Sequence, residues 1–177
     1  MKTKDTFIDE DIIKKLTNLT FPHISLKNQN SIYLNLYRYD TFRLVLYFFS
    51  MTGRPDRKLP KNWNKILGAS GCTLQNSKFR DSYEKFIEQN AIPIGISTQS
   101  VEDLKEMTQR LNIPFDILSD IDLKLSKKLK LPTFSVENNV YIKRITLIVE
   151  KNTIKKIFFP IIYPNKHVDE VIEWLKR

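Results

Sequence analysis

Cysteine, histidine and glycine are all scarce in this chain: its 177 residues hold one cysteine, two histidines and four glycines. A single cysteine excludes an internal disulfide, a Cys-x-x-Cys redox pair and a zinc knuckle, and it suits a reducing compartment. The histidines, His23 and His167, stand far apart with no metal-ligand spacing, and neither is assigned a catalytic role. So few glycines leave no phosphate-cradling loop, and no Ser-His-Asp arrangement is visible. Long apolar runs are missing too. The longest, Leu44 to Phe49, falls far short of the roughly 20 residues that cross a bilayer, and the polar start Met1-Lys2-Thr3-Lys4-Asp5-Thr6 leads into nothing of signal-peptide form. The expectation is a cytoplasmic protein without a membrane partner.

Acidic residues are in deficit. The 29 Lys and Arg against 20 Asp and Glu leave a formal charge of +9, a balance that can mark a nucleic-acid partner. The excess is mostly lysine spread along the whole chain, so specific nucleic-acid binding is not favoured. Of the two short basic clusters, Arg54 to Lys65 and Lys124 to Lys130, the second reads as the solvated face of a helix with Leu123, Leu125, Leu129 and Leu131 inside. The length suits one domain spanning 1–177, with 1–20 as an N-terminal helical extension; a chain of about 150 residues already hides roughly two-thirds of its extended surface.

Periodicity supplies the elements. Asp9 to Leu19 has the apolar spacing of an amphipathic helix, and Ile24 to Leu26 with Ile32 to Leu36 alternates like a hairpin about Lys27 to Asn30. Phe42 to Phe49 is a near-continuous apolar run, the mark of a central strand covered on both faces. Helices are expected over Asn76 to Gln89, Ser100 to Leu111, Asp120 to Leu129 and His167 to Arg177. Strands are expected at Ala91 to Ser97, with Pro93 making its start irregular, at Phe115 to Leu118, and as a hairpin of Arg144 to Val149 with Lys155 to Phe159. This βαβαβ then ββα order is α/β, a thioredoxin-like fold with an N-terminal β-hairpin extension and a mixed central sheet flanked by helices. Periodicity alone also admits a flavodoxin-like sheet.

The lone Cys72 falls where a buried strand gives way to a helix, in Gly71-Cys72-Thr73-Leu74-Gln75-Asn76-Ser77-Lys78-Phe79-Arg80-Asp81. Unpaired N–H groups and the positive dipole end at a helix start favour thiolate over thiol. The plain alternative is a small buried hydrophobe.

Four segments in order resemble the peroxiredoxins, in particular the Q type and its redoxin-domain relatives: Leu44 to Phe49; Gly71-Cys72-Thr73 with Phe79-Arg80-Asp81; Ile94 to Thr98 with Pro114 to Asp120; and Arg144 to Ile148. The resemblance runs from about Leu26 to the C-terminus. It implies a thiol peroxidase, needing neither metal nor organic cofactor, whose peroxidatic cysteine is Cys72. Arg144 matches the arginine that holds thiolate and peroxide together. The substrate implied is hydrogen peroxide or an organic hydroperoxide. With Ser77 where Q-type relatives often carry a resolving cysteine, recycling falls to an external thiol such as thioredoxin, glutaredoxin or glutathione. The protein is expected to be a monomer or homodimer. A non-catalytic redoxin-fold sensing or binding module is the rival reading.

The chain also departs from the family pattern. Ser50 takes the place of the motif proline and lies 22 positions before Cys72 instead of the usual seven, and Ala69 stands where the motif threonine belongs. Residues 53–68 read as an insertion. Thr52, or else Ser50, is the candidate for the missing hydroxyl, and Thr52 is the residue carried forward with Cys72 and Arg144. Gln75 stands where many relatives have Glu, with a helix-start hydrogen bond as its plain role. Arg54, Arg57, Lys58, Lys61 and Lys65 on the insertion read as a solvated basic loop; folded over the pocket, they would favour the thiolate or attract an anionic substrate. Trp63 is expected to anchor the loop by packing.

Overall fold

A computed structural model of the chain describes the backbone of residues 4–39, 41–66 and 68–177, and side chains from Glu10 onward. In chain order the elements are α1 (Lys4–Leu16), β1 (Ser25–Asn28), β2 (Tyr33–Asn35), β3 (Arg43–Phe48), α2 (Cys72–Asp81), α3 (Tyr83–Glu88), β4 (Ala91–Ser97), α4 (Val101–Leu111), β5 (Ile117–Ser119), α5 (Lys124–Leu129), β6 (Thr133–Val136), β7 (Asn139–Ile142), β8 (Ile145–Glu150), β9 (Thr153–Phe158) and α6 (Pro164–Leu175). Seven strands form one sheet in the order β2-β1-β5-β4-β3-β8-β9. β3, β4 and β5 run parallel, while β1 and β8 flank them antiparallel. This is the α/β, thioredoxin-like architecture with a mixed sheet. No helix among the described residues is long and apolar enough to cross a membrane.

The unbroken apolar run of β3 has a direct cause. Successive side chains of a strand point to opposite faces, and here both faces are covered. Leu44, Leu46 and Phe48 join a core with Leu16 of α1 and Leu125 and Leu129 of α5. Val45, Tyr47 and Phe49 join another with Phe79 of α2, Phe86 of α3, Leu104 and Met107 of α4, and Val168 and Val171 of α6. The same run that marks a central strand thereby carries the chain into Ser50, at the C-terminal edge of the sheet.

Pro93 sits inside β4, paired with Val45, and the start of the strand is regular. Along β4 the even residues face β3, as the bond from Phe49 N–H to the Ile96 carbonyl shows, and the odd ones face β5, as Gly95 N–H donating to Asp116 shows. β5 begins opposite Gly95. The missing N–H of Pro93 therefore falls where β4 has no neighbour, and no ladder bond is lost.

Several helix boundaries differ from the periodicity. α1 ends at Leu16, leaving Leu19 41% exposed. The expected helix from Asn76 starts at Cys72 and breaks at Ser82 into α2 and α3. α5 starts at Lys124, because the buried Asp120 carboxylate accepts from the Leu125 and Ser126 N–H groups and holds residues 120–123 as a turn. α6 starts at Pro164, a residue pre-set for a first helical turn. The β6–β7 hairpin, a separate two-stranded sheet, was not signalled by its sequence.

Candidate active site

Cys72 is the first residue of α2, and Gly71 before it has φ +97°, the left-handed region that glycine enters freely. A Cβ on Gly71 would lie 3.0 Å from Pro164 Cγ, so the glycine also lets the start of α6 pack close against this turn. Below this turn Asn76 Nδ2 donates to the Cys72 carbonyl at 2.9 Å, and Tyr47 Oη donates to Asn76 Oδ1 at 2.8 Å. The strand under the site thus pins the helix start.

Cys72 is 2% exposed, and its sulfur is closely surrounded. Its neighbours are Ser50 Oγ at 3.3 Å, the Ala69 carbonyl at 3.5 Å and Arg144 Nη1 at 3.8 Å. Arg144 immediately precedes β8, is 5% exposed, and donates from Nη1 to the Ser70 carbonyl; its Nε has no partner among the described residues. No carboxylate pairs with it among those residues. A buried guanidinium without an anion is costly, and the group beside it able to take up negative charge is the Cys72 sulfur.

The hydroxyl at the sulfur belongs to Ser50, and this corrects the choice of Thr52. Thr52 is buried, but its N–H donates to Gln99 Oε1 at 2.9 Å, its Oγ1 donates to the same oxygen at 3.4 Å, and its carbonyl accepts from Gln99 Nε2 at 3.2 Å. Gln99 therefore captures Thr52 on three sides. Ser50, whose carbonyl accepts from Ser97 Oγ at 3.0 Å, is held with its own side chain on Cys72. Ser97 closes the expected strand and Gln99 lies just past it; neither was singled out in the sequence for a part in this site.

The model of the AhpC/TSA family matches residues 62–157, more than half of the chain. The chain belongs to this family. It is 30% identical over 158 residues to a chloroplastic peroxiredoxin Q of Sedum lineare, covering 89% of this chain and 76% of that protein; it spans 64–65% of the length of other plant peroxiredoxins Q. Among solved structures, the peroxidoxin BcpB of Mycobacterium tuberculosis superposes with a TM-score of 0.74 at 20% identity, covering 90% of this chain and 96% of that one. The Xanthomonas campestris bacterioferritin comigratory protein, described with alkyl peroxide reduction activity, gives 0.71 at 19% identity, covering 89% and 92%. At those identities the structural likenesses speak to the fold.

Against the family pattern, the insertion is a fixed wall. Arg54 pairs with Asp56 at 2.9 Å and with Asp103 of α4 at 3.2 Å; Arg57 pairs with Asp103 at 3.0 Å; and Arg110 Nη2 donates to the Gly53 carbonyl at 3.1 Å. Both arginines are thus engaged with carboxylates instead of the sulfur, while Lys58, Lys61 and Lys65 are exposed. Trp63 anchors the segment by packing, with its ring 4.8 Å from Tyr141 and 5.9 Å from Phe134 of the unforeseen hairpin. Between this wall and the start of α2 lies a cleft of about 360 Å³ that reaches Cys72. Gln75, three residues past Cys72, is fully buried and neither of its amide atoms has a partner among the described residues, so the helix-start hydrogen bond is not made.

His167 of α6 lies 2% exposed behind the site, its Nε2 2.8 Å from Thr146 Oγ1. Burial first, then the positive charge of Arg144, push its pKa down to about 4. The unfolded chain, with an ordinary histidine near 6.5, then binds the proton first as pH falls. Stability is lost between about pH 6.5 and 4, by up to about 3 kcal/mol. Urea midpoints measured across that range should fall steeply for the wild type and less steeply for His167→Gln; parallel curves would remove His167 from the acid response.

Proposed function

We propose that this protein is a thiol peroxidase that reduces hydrogen peroxide or organic hydroperoxides at Cys72, with Arg144 and Ser50 as its partners. The observation that carries the reading is the sulfur at a helix start, between a hydroxyl at 3.3 Å and a guanidinium at 3.8 Å that pairs with no carboxylate among the described residues, beside an open cleft. The Cys72 thiolate attacks the distal oxygen of the hydroperoxide; the sulfur–oxygen bond forms as the oxygen–oxygen bond breaks, and the alkoxide or hydroxide leaves and takes a proton. Arg144 offers fixed positive charge to sulfur and departing oxygen alike, a stabilisation that grows as charge moves outward. Ser50 Oγ replaces the hydroxyl of the family motif.

The product is a sulfenic acid. An external thiol condenses with it, releasing water and leaving a mixed disulfide, and a second thiol returns Cys72 to its reduced form. Thioredoxin, glutaredoxin and glutathione are the reductant classes we infer, acting in a cytoplasmic, reducing compartment on a monomer or homodimer.

Rapid mixing of reduced protein with peroxide, followed by mass spectrometry with a sulfenic-acid trap, tests this reading. Oxidation orders of magnitude faster than that of a free thiol, ending in one trapped sulfenic acid, is expected. Oxidation at the free-thiol rate would refute the enzyme and leave the sensing or binding module. In the same assay Ser50→Ala should slow oxidation about tenfold, the size expected for one hydrogen bond to a charged group. Thr52→Ala should leave the rate unchanged, because the Gln99 clamp on the backbone survives; the reverse ranking would return the role to Thr52.

A further inference from the structure

The cleft beside Cys72 is far larger than hydrogen peroxide requires. It encloses about 360 Å³, whereas a molecule the size of water takes about 30 Å³. Its apolar lining is Met51, Pro55, Leu59, Trp63 and Ala69, and Cys72 borders it. Of the polar side chains that also border it, Arg54 is engaged by Asp56 and Asp103, Asn64 Oδ1 accepts from the Ser70 hydroxyl at 2.9 Å, and Thr73 adds one exposed hydroxyl. What the cleft offers a ligand is therefore apolar surface leading to a nucleophilic sulfur, with no free charge to receive an anion.

The wall is built, not incidental. Leu59 is 42% exposed, yet it lies against the Gly53 backbone so closely that a Cβ there would come within 2.8 Å of Leu59 Cδ2. The segment bearing it is tied down at Gly53 by Arg110, at Arg54 by Asp103 and at Trp63 by aromatic packing. A partly exposed leucine on a tethered segment, lining the same cleft as Cys72, is placed to meet the organic part of a substrate.

We propose that the inserted segment makes the enzyme selective for uncharged alkyl or aryl hydroperoxides, with Leu59 as a specificity-determining residue; this rests on the thiol peroxidase reading above. The hydroperoxide group sits at Cys72 and Arg144, and its apolar residue fills the cleft against Leu59 and Trp63. Hydrogen peroxide gains nothing from that wall.

The test compares second-order oxidation of Cys72 by cumene hydroperoxide and by hydrogen peroxide in wild type, Leu59→Asn and Leu59→Met. The wild type is expected to prefer cumene hydroperoxide by about tenfold or more, the scale of a small apolar group in a fitted pocket. Leu59→Asn should lose about that factor for cumene hydroperoxide alone, and Leu59→Met should retain it. A wild type that takes both peroxides equally, or an Asn variant that slows both equally or neither, overturns the selectivity while leaving the peroxidase intact. A lipid hydroperoxide should likewise react faster as its methyl ester than as the free carboxylate, and the opposite order overturns the uncharged-substrate claim. If the wild type reacts with none of these faster than a free thiol, it is the peroxidase reading that fails.

Discussion

Arg144→Met should cut the rate of Cys72 oxidation by peroxide between about a hundredfold and a thousandfold, the loss typical when one preorganised charge-stabilising donor is removed. The same change should leave the melting temperature unchanged or raised. Both expectations come from one feature. Arg144 is 5% exposed, its Nε has no partner, and no carboxylate pairs with it among the described residues. Its bond to the Ser70 carbonyl offsets only part of the cost of desolvating a guanidinium. Methionine has comparable length and no charge to bury. On the proposed reading, what this arginine contributes is its charge beside the sulfur 3.8 Å away, not stability. Stopped-flow oxidation and a thermal melt on the same preparation decide the matter; a variant that is less stable but equally fast would make Arg144 a structural residue.

Cys72→Ser should abolish peroxide consumption altogether. A serine hydroxyl holds its proton far more tightly than a thiol, and activating it takes an adjacent base. None is in place among the described residues: His167 is hydrogen-bonded to Thr146, and the immediate neighbours of the sulfur are a hydroxyl, a carbonyl and a cation. The fold should survive, since the Ser50 hydroxyl and the Ala69 carbonyl are at hand for the new hydroxyl, with a change in stability of about 1 kcal/mol or less. Consumption of peroxide by the serine variant at the wild-type rate would show that the chemistry lies elsewhere in the chain.

Much of the architecture was legible before any coordinate. Leu44 to Phe49 announced a strand covered on both faces, and the alternation of apolar runs with amphipathic stretches marked the order of strands and helices. Helix ends were harder to read, because a cap such as the Asp120 carboxylate or a break such as Ser82 overrides apolar spacing. The hairpin of β6 and β7 escaped altogether. Its strands are four residues each, and their partner is the inserted Trp63, about seventy positions earlier.

The sequence by itself determined which atom could react and what kind of scaffold would hold it: one cysteine at a strand-to-helix junction, in segments whose order resembles a known family. Only the tertiary structure decided which hydroxyl reaches that sulfur: Ser50 and Thr52 are two residues apart, and the choice of Thr52 fails only because Gln99, 47 positions beyond it, draws Thr52 away. It also decided that apolar side chains of the insertion line the cleft that Cys72 borders while Asp56 and Asp103 occupy its arginines. Local spacing encodes the faces of helices and strands. A side chain's choice among distant partners is settled by which of them the packed sheet brings within bonding distance.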